Sequence, residues 1–142
     1  MPTLSANSLA KLDTCHSDII TVIKKSIVNG PDFTVLCGER SAAEQYELYQ
    51  QGRTKPGKIV TNIDGVNNKS MHNHTPSLAI DIAPYPIDWA DEDRFIYLGG
   101  YILGVADTLG IKFRWGGDWK QNGQTSDERF LDLPHFELIS SI

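Results

Sequence analysis

With 142 residues, 40% of them hydrophobic, the chain has the material for one compact domain with one buried core, and it is too short for two. Thirteen basic against eighteen acidic residues give a net charge of −5, and no Lys/Arg run or basic-aromatic alternation marks a phosphate-binding surface, so no nucleic-acid partner is expected. No segment approaches the roughly 20 apolar residues of a membrane span, and Met1-Pro-Thr-Leu-Ser5 lacks the basic start and apolar run of a secretory signal, so a soluble product without a membrane anchor is expected.

Leu9, Leu12, His16, Ile19, Ile20, Ile23 and Ile27 recur at three- and four-residue steps, which predicts one amphipathic helix ending near Asn29-Gly30. His16 lies on its apolar face and reads as a histidine bonded to backbone rather than as a ligand. Cys15 and Cys37 lack CxxC spacing, so metal-clip and redox motifs are not supported and two reduced thiols are expected. Phe33 to Cys37 is β-branched and apolar enough for a strand. Ser41-Ala-Ala-Glu44 has the spacing of a capping box and opens a second helix that runs to about Gln51, with Gly52 as its stop.

Residues 52–77 are rich in Gly, Lys, Asn, Thr and Pro without sustained periodicity, and so long a connection inside a small domain is expected to contact substrate. Leu78 to Ile82 alternates, which puts Leu78, Ile80 and Ile82 on one face and Ala79 and Asp81 on the other. A third helix is predicted from about Asp91 to Leu109, with Phe95, Leu98, Ile102, Val105 and Leu109 on one stripe. Gly99-Gly100 inside it costs on the order of 1 kcal/mol per glycine relative to alanine, which points to close packing there. Ile111 to Trp115 reads as a strand, followed by a turn at Gly116-Gly117-Asp118. The last strand, Leu133 to Leu138, sends His135 and Glu137 one way and Phe136 and Leu138 the other. Helices and strands in this order are too closely spaced for repeated βαβ crossovers, so the expected class is α+β, a small antiparallel sheet with flanking helices.

Three of the four histidines gather with two carboxylates in the segments Ser70-Met-His72-Asn-His74 to Asp81 and Asp132-Leu-Pro-His135. Two neutral imidazoles and one carboxylate leave a tetrahedral Zn²⁺ one open position, the arrangement of a catalytic site. A metal so placed lowers the pKa of a water toward roughly 7 and polarises a carbonyl. Asp132, three residues before His135 with a proline between, is suited to general-base work rather than ligation. Spacing alone also fits Asp81 paired with a surface cation and His135 as a hydrogen-bonded sheet histidine.

Gly38-Glu-Arg40-Ser41, Glu44-Gln45, Leu48-Tyr49-Gln-Gln-Gly-Arg53-Thr-Lys-Pro-Gly57, Ser70-x-His72-Asn73, Pro76-Ser77-x-Ala79-x-Asp81, Arg114-Trp-Gly-Gly-Asp118-Trp119 and Asp132-x-Pro-His135-Phe-Glu-Leu138 occur in that order. Together they resemble the D-alanyl-D-alanine carboxypeptidase and L-alanyl-D-glutamate peptidase family, which includes VanY-like enzymes and phage endolysins, over most of the chain from about Thr34. The resemblance implies a Hedgehog/DD-peptidase-like fold over residues 1–142 as one zinc peptidase domain, with Zn²⁺ on His72, Asp81 and His135 and Asp132 as general base. Arg40 and Ser70 match residues that hold the substrate carboxylate and the transition-state oxygen; a surface ion pair and a loop hydrogen bond are their plainer readings. His72 stands nine residues before Asp81 and His74 seven, the family's commoner spacing. His72 is favoured because it keeps the Ser-x-His-Asn context, with His74 as the alternative. Trp115 and Trp119, which flank the glycine turn, are expected either to wall a substrate groove or to pack in the core or at its rim, and Glu137 to orient His135 as a partner.

The function implied is hydrolysis of a peptidoglycan stem-peptide bond by zinc-activated water, L-alanyl-D-glutamate in first place, by a phage endolysin that is made in the host cytoplasm without a signal peptide and acts on the bacterial cell wall. A monomer is expected. D-Ala-D-Ala carboxypeptidase activity is the alternative within the enzyme class, and a non-catalytic cell-wall-binding module is the alternative outside it.

Overall fold

The computed structural model describes residues 2–139. Four helices, α1 (Ala6–Leu12), α2 (Ser17–Asn29), α3 (Ala42–Gln50) and α4 (Glu92–Thr108), accompany four strands, β1 (Phe33–Cys37), β2 (Ala79–Pro84), β3 (Phe113–Trp115) and β4 (His135–Leu138). The strands form one antiparallel sheet in the order β1-β2-β4-β3, the α+β architecture expected from the element spacing.

The single N-terminal helix expected from periodicity is two. The chain leaves helical geometry between Asp13 and His16 because Cys15 bridges to Ser77: His16 N–H donates to Ser77 O at 2.8 Å and Ser77 N–H to Thr14 O at 2.9 Å. His16 then caps α2, its Nδ1 accepting from Asp18 N–H at 3.0 Å, the backbone-bonded role expected of it. A three-residue spacing of apolar side chains survives such a break because both short helices press the same face on the core. The capping box of α3 is complete, with Ser41 Oγ accepting from Glu44 N–H and Glu44 Oε1 from Ser41 N–H, both at 3.1 Å; such a cap is worth about 1 kcal/mol.

The period-2 alternation of the strands divides the sheet into two faces. Val35, Ile80, Ile82, Phe113, Trp115 and Phe136 join Leu12, Ile19, Ile23, Leu98 and Ile102 in the core. Gly99 makes the helix-to-sheet contact possible: a Cβ there would stand 2.4 Å from the Trp115 indole, whereas one on Gly100 would meet nothing within 4 Å. Only the first glycine of the pair therefore has the packing reason expected of both. The opposite face of the sheet carries Asp81, Arg114, His135 and Glu137. Asp81 lies directly across from His135, and Arg114 from Glu137. The long connection 52–77 folds over this polar face and contains one short 3₁₀ turn, Met71–Asn73.

Candidate metal and catalytic site

Sheet register supplies half of the site. Because Asp81 and His135 face each other across β2 and β4, their side chains meet, with His135 Nδ1 at 3.3 Å from Asp81 Oδ1. The other ring nitrogen of His135 stands 2.8 Å from Glu137 Oε1, and Glu137 is held in turn by Arg114 Nη2 at 2.7 Å. A carboxylate only accepts, so His135 Nε2 carries the proton and Nδ1 presents a lone pair to Asp81 when the ring is neutral.

The loop supplies the other half. Ser70 Oγ accepts from His72 N–H at 3.2 Å and Asn73 Oδ1 accepts from Ser70 N–H at 2.8 Å, which closes the 3₁₀ turn. Asn73 Nδ2 donates to Arg40 O at 2.9 Å, and Arg40 N–H donates to His72 O at 2.8 Å, so the turn is clasped to the end of β1. His72 is 2% exposed. Its Nδ1 stands 2.7 Å from Gly38 O, which requires the proton there and leaves Nε2 unprotonated in the neutral ring. That nitrogen lies 3.3 Å from the same Asp81 Oδ1 and is buried without a hydrogen-bond partner.

Two lone pairs therefore converge on one carboxylate oxygen, and a cation has to sit among them. Without a metal, the Asp81 carboxylate favours a proton on each ring. Burial opposes charging His72, but the Asp81 carboxylate and Cys37 raise its pKa to about 10, and for His135 burial is likewise outweighed by Asp81 and Glu137, to about 9. Burial would raise the Asp81 carboxyl, yet the two imidazoles hold it well below the usual carboxylate range. Among the described residues, the group whose ligand atoms all lie within 4.8 Å of one another is Cys37, His72 and Asp81, and that set, with the orphaned His72 Nε2, could hold a metal ion; His135 reaches it through Asp81 Oδ1.

These groups form the floor of an open cavity of about 560 Å³, also lined by Arg40, Ser70, Trp119 and Asp132. Asp132 is half-buried, and burial followed by the Asp81 charge pushes its carboxyl up. Its position is set by the glycine turn: Asp132 N–H donates to Gly116 O at 2.8 Å, and a Cβ on Gly116 would lie 2.1 Å from Asp132 O. Arg40 donates from Nη1 to Gln45 Oε1 at 2.8 Å and from Nη2 to Asp81 Oδ2 at 3.5 Å. Val60, Thr61, Asn62 and Ile63 of the long connection line the same cavity.

All six residues singled out in the sequence, His72, Asp81, His135, Asp132, Arg40 and Ser70, line this one cavity. His74 does not: it is exposed and follows the 3₁₀ turn. Trp115 is a core residue, 4% exposed, while Trp119 lies against the His135 ring at a centroid distance of 5.4 Å. Two contributors were not singled out. Gln45, 1% exposed, ties Arg40 to Ile63 O, and Cys37 brings its sulfur to the donor cluster. The Glu44-Gln45 pair was visible in the sequence, but nothing in spacing distinguishes a clasp from a surface amide.

The model of the phage L-alanyl-D-glutamate peptidase family matches residues 2–139. The chain belongs to that family. Among relatives of this family member, the peptidoglycan L-alanyl-D-glutamate endopeptidase CwlK of Bacillus subtilis (strain 168) is 42% identical over 118 residues, 78% of this chain and 62% of CwlK. The chain thus spans less than two thirds of that relative. The L-alanyl-D-glutamate peptidase of Escherichia phage T5 is 29% identical over 140 residues, 94% of this chain and 95% of the phage protein. The crystal structure of the Serratia marcescens L-Ala D-Glu endopeptidase ChiX superposes with a TM-score of 0.70 at 25% identity, covering 96% of this chain and 90% of ChiX. The fold expected from the family resemblance is the one observed.

Proposed function

We propose that this family member is a zinc-dependent peptidoglycan peptidase of phage origin that hydrolyses the L-alanyl-D-glutamate bond of stem peptides. In this reading the chain works as one domain and as a monomer, with His72, Asp81 and His135 as metal ligands and Asp132 as general base. The observation that carries it is the convergence of two imidazole nitrogens, each with its tautomer set by the other ring nitrogen, on Asp81 Oδ1 at 3.3 Å. The activities named for CwlK, the T5 peptidase and ChiX support the choice of bond.

Zinc, when bound, acidifies water and polarises a neighbouring carbonyl, which brings amide hydrolysis within reach at neutral pH. The chain's own residues do the rest. Asp132, made more basic by burial and by the Asp81 charge, takes a proton from the attacking water and passes it to the departing amino group of D-glutamate. Arg40 brings a fixed positive charge to the cavity wall, suited to the substrate's carboxylate. Ser70 Oγ accepts from the His72 amide, so its own proton is available to a substrate oxygen. Among the described residues no helix is long and apolar enough to cross a membrane.

Digestion of purified peptidoglycan with the zinc-loaded protein, followed by mass analysis, tests the reading. New D-glutamate amino termini are expected. Release of free D-alanine would assign D-Ala-D-Ala carboxypeptidase activity instead, and binding without cleavage by a zinc-loaded protein would make the chain a wall-binding module.

A further inference from the structure

On the polar face of the sheet, Arg114 of β3 lies across from Glu137 of β4, and its Nη2 donates to Glu137 Oε2 at 2.7 Å. The other oxygen, Oε1, stands 2.8 Å from His135 Nε2, so both oxygens of this carboxylate are engaged. The two partners are unequally covered: the Glu137 side chain is 8% exposed and that of Arg114 39%. What the pair presents to the cavity is therefore its cation. Trp119 flanks the guanidinium, with Arg114 Cζ 5.5 Å from the ring centroid, and both residues line the cavity. Among the described residues, Nη2 carries the bond to Glu137 and Nε is buried without a partner, so the five-donor fork keeps donors for a ligand.

Two guanidinium groups thus approach the site from opposite edges of the sheet. The strand order is β1-β2-β4-β3. Arg40 follows β1 and reaches Asp81 on β2, whereas Arg114 is on β3 and reaches Glu137 on β4. The proposed ligands Asp81 and His135 lie on the two strands between them. In an L-alanyl-D-glutamate substrate, a free carboxylate beside the scissile bond can belong only to the glutamate half, because the alanine carboxyl is consumed in that bond. With Arg40 matched to the glutamate half, the alanine half falls to Arg114. In an intact stem peptide the alanine nitrogen is acylated and brings a carbonyl oxygen, an acceptor for a guanidinium. An unacylated alanine brings an ammonium instead, since α-amino groups titrate at about 8, and meets Arg114 with like charge.

Resting on the L-alanyl-D-glutamate peptidase reading above, we propose that Arg114 is a specificity-determining residue, its guanidinium donating to the carbonyl oxygen that acylates the alanine nitrogen and rejecting an alanine with a free amino group. The enzyme is then selective for stem peptides still attached through their alanine, over peptides whose alanine has already been released.

The test gives the zinc-loaded full chain the tripeptide L-alanyl-γ-D-glutamyl-L-lysine with its amino terminus either acetylated or free. The acetylated form is expected to show a KM lower by at least about tenfold, the scale of one charge-assisted hydrogen bond. Arg114→Met, which keeps an apolar stem beside Trp119 and removes the charge, should bring the two KM values together, and Arg114→Lys should restore most of the preference. A role exercised only through Glu137 and His135 would lower kcat or zinc content for both peptides alike and leave their KM ratio untouched. That result would overturn the proposal, as would a wild-type chain that cuts both peptides with equal KM. A zinc-loaded chain that cuts neither peptide nor purified peptidoglycan would overturn the peptidase reading, and this proposal with it.

Discussion

The site is assembled from two regions that hold their ligands by different means. Asp81 and His135 sit opposite each other in a sheet, where backbone pairing sets both position and direction. His72 sits in the connection between α3 and β2, and its place depends on a chain of individual bonds: the Ser70 and Asn73 caps, the Asn73 clasp to Arg40 O and the ring bond to Gly38 O. A ladder is redundant and tolerates the loss of one contact, whereas a clasp is serial. Strand-borne donors should therefore be lost only by changing the donor itself, and the loop-borne one also by changing what holds it.

The largest effect is expected from the strand pair. Asp81→Ala and His135→Ala should each lose zinc and activity while staying folded by circular dichroism, because the apolar core lies on the other face of the sheet. Stoichiometric zinc with full activity in either variant would remove that residue from the ligand set. In the loop, His72→Ala should likewise empty the site, and His74→Ala, which alters an exposed side chain, should keep it. Zinc content of the two proteins by metal analysis decides, and the reverse result would mean that the seven-residue spacing to Asp81 governs the site and that the Ser-x-His-Asn context misassigned the ligand.

A smaller effect separates proton transfer from ligation. Asp132→Asn should hold about one zinc per chain and turn over at least about 10²-fold more slowly, the scale of a lost general base. If zinc goes with the carboxylate, Asp132 belongs among the ligands. The mildest change probes the turn that places Asp132. Gly116→Ala forces a Cβ to within 2.1 Å of Asp132 O, so the segment must move. Zinc should be retained, with up to about 10²-fold lower kcat from a misplaced base and a stability loss of about 1–3 kcal/mol from overpacking. Unchanged kinetics would show that Asp132 is positioned by something other than this contact.

How far the sequence carried the reading follows the same division. Alternation along Leu78 to Ile82 and Leu133 to Leu138 put Asp81 and His135 on one face because side-chain direction in a strand has period two whatever the tertiary context. The capping box was legible because both of its bonds span three residues. The break between α1 and α2 was not, since its cause is a bridge from Cys15 to Ser77, distant in the chain. Neither was the place of Cys37: alternation from Phe33 assigns it to the core face with Val35, and only the register shift against β2 turns it toward Asp81. His72 was preferred over His74 through its Ser-x-His-Asn context, and that context is the cap that closes the turn.

The contact of Trp119 with His135 places an indole beside the site. Of the three tryptophans, Trp115 is shut in the core and Trp89 stacks on Phe95, whereas Trp119 lies tilted over the His135 ring and is anchored by its Nε1–H to Phe130 O at 2.9 Å. A protonated imidazole quenches a neighbouring indole, and a metal that takes the place of the proton changes that quenching. Emission from the native chain is therefore expected to change when a metal takes the place of a proton at His135, without a label and without a substrate.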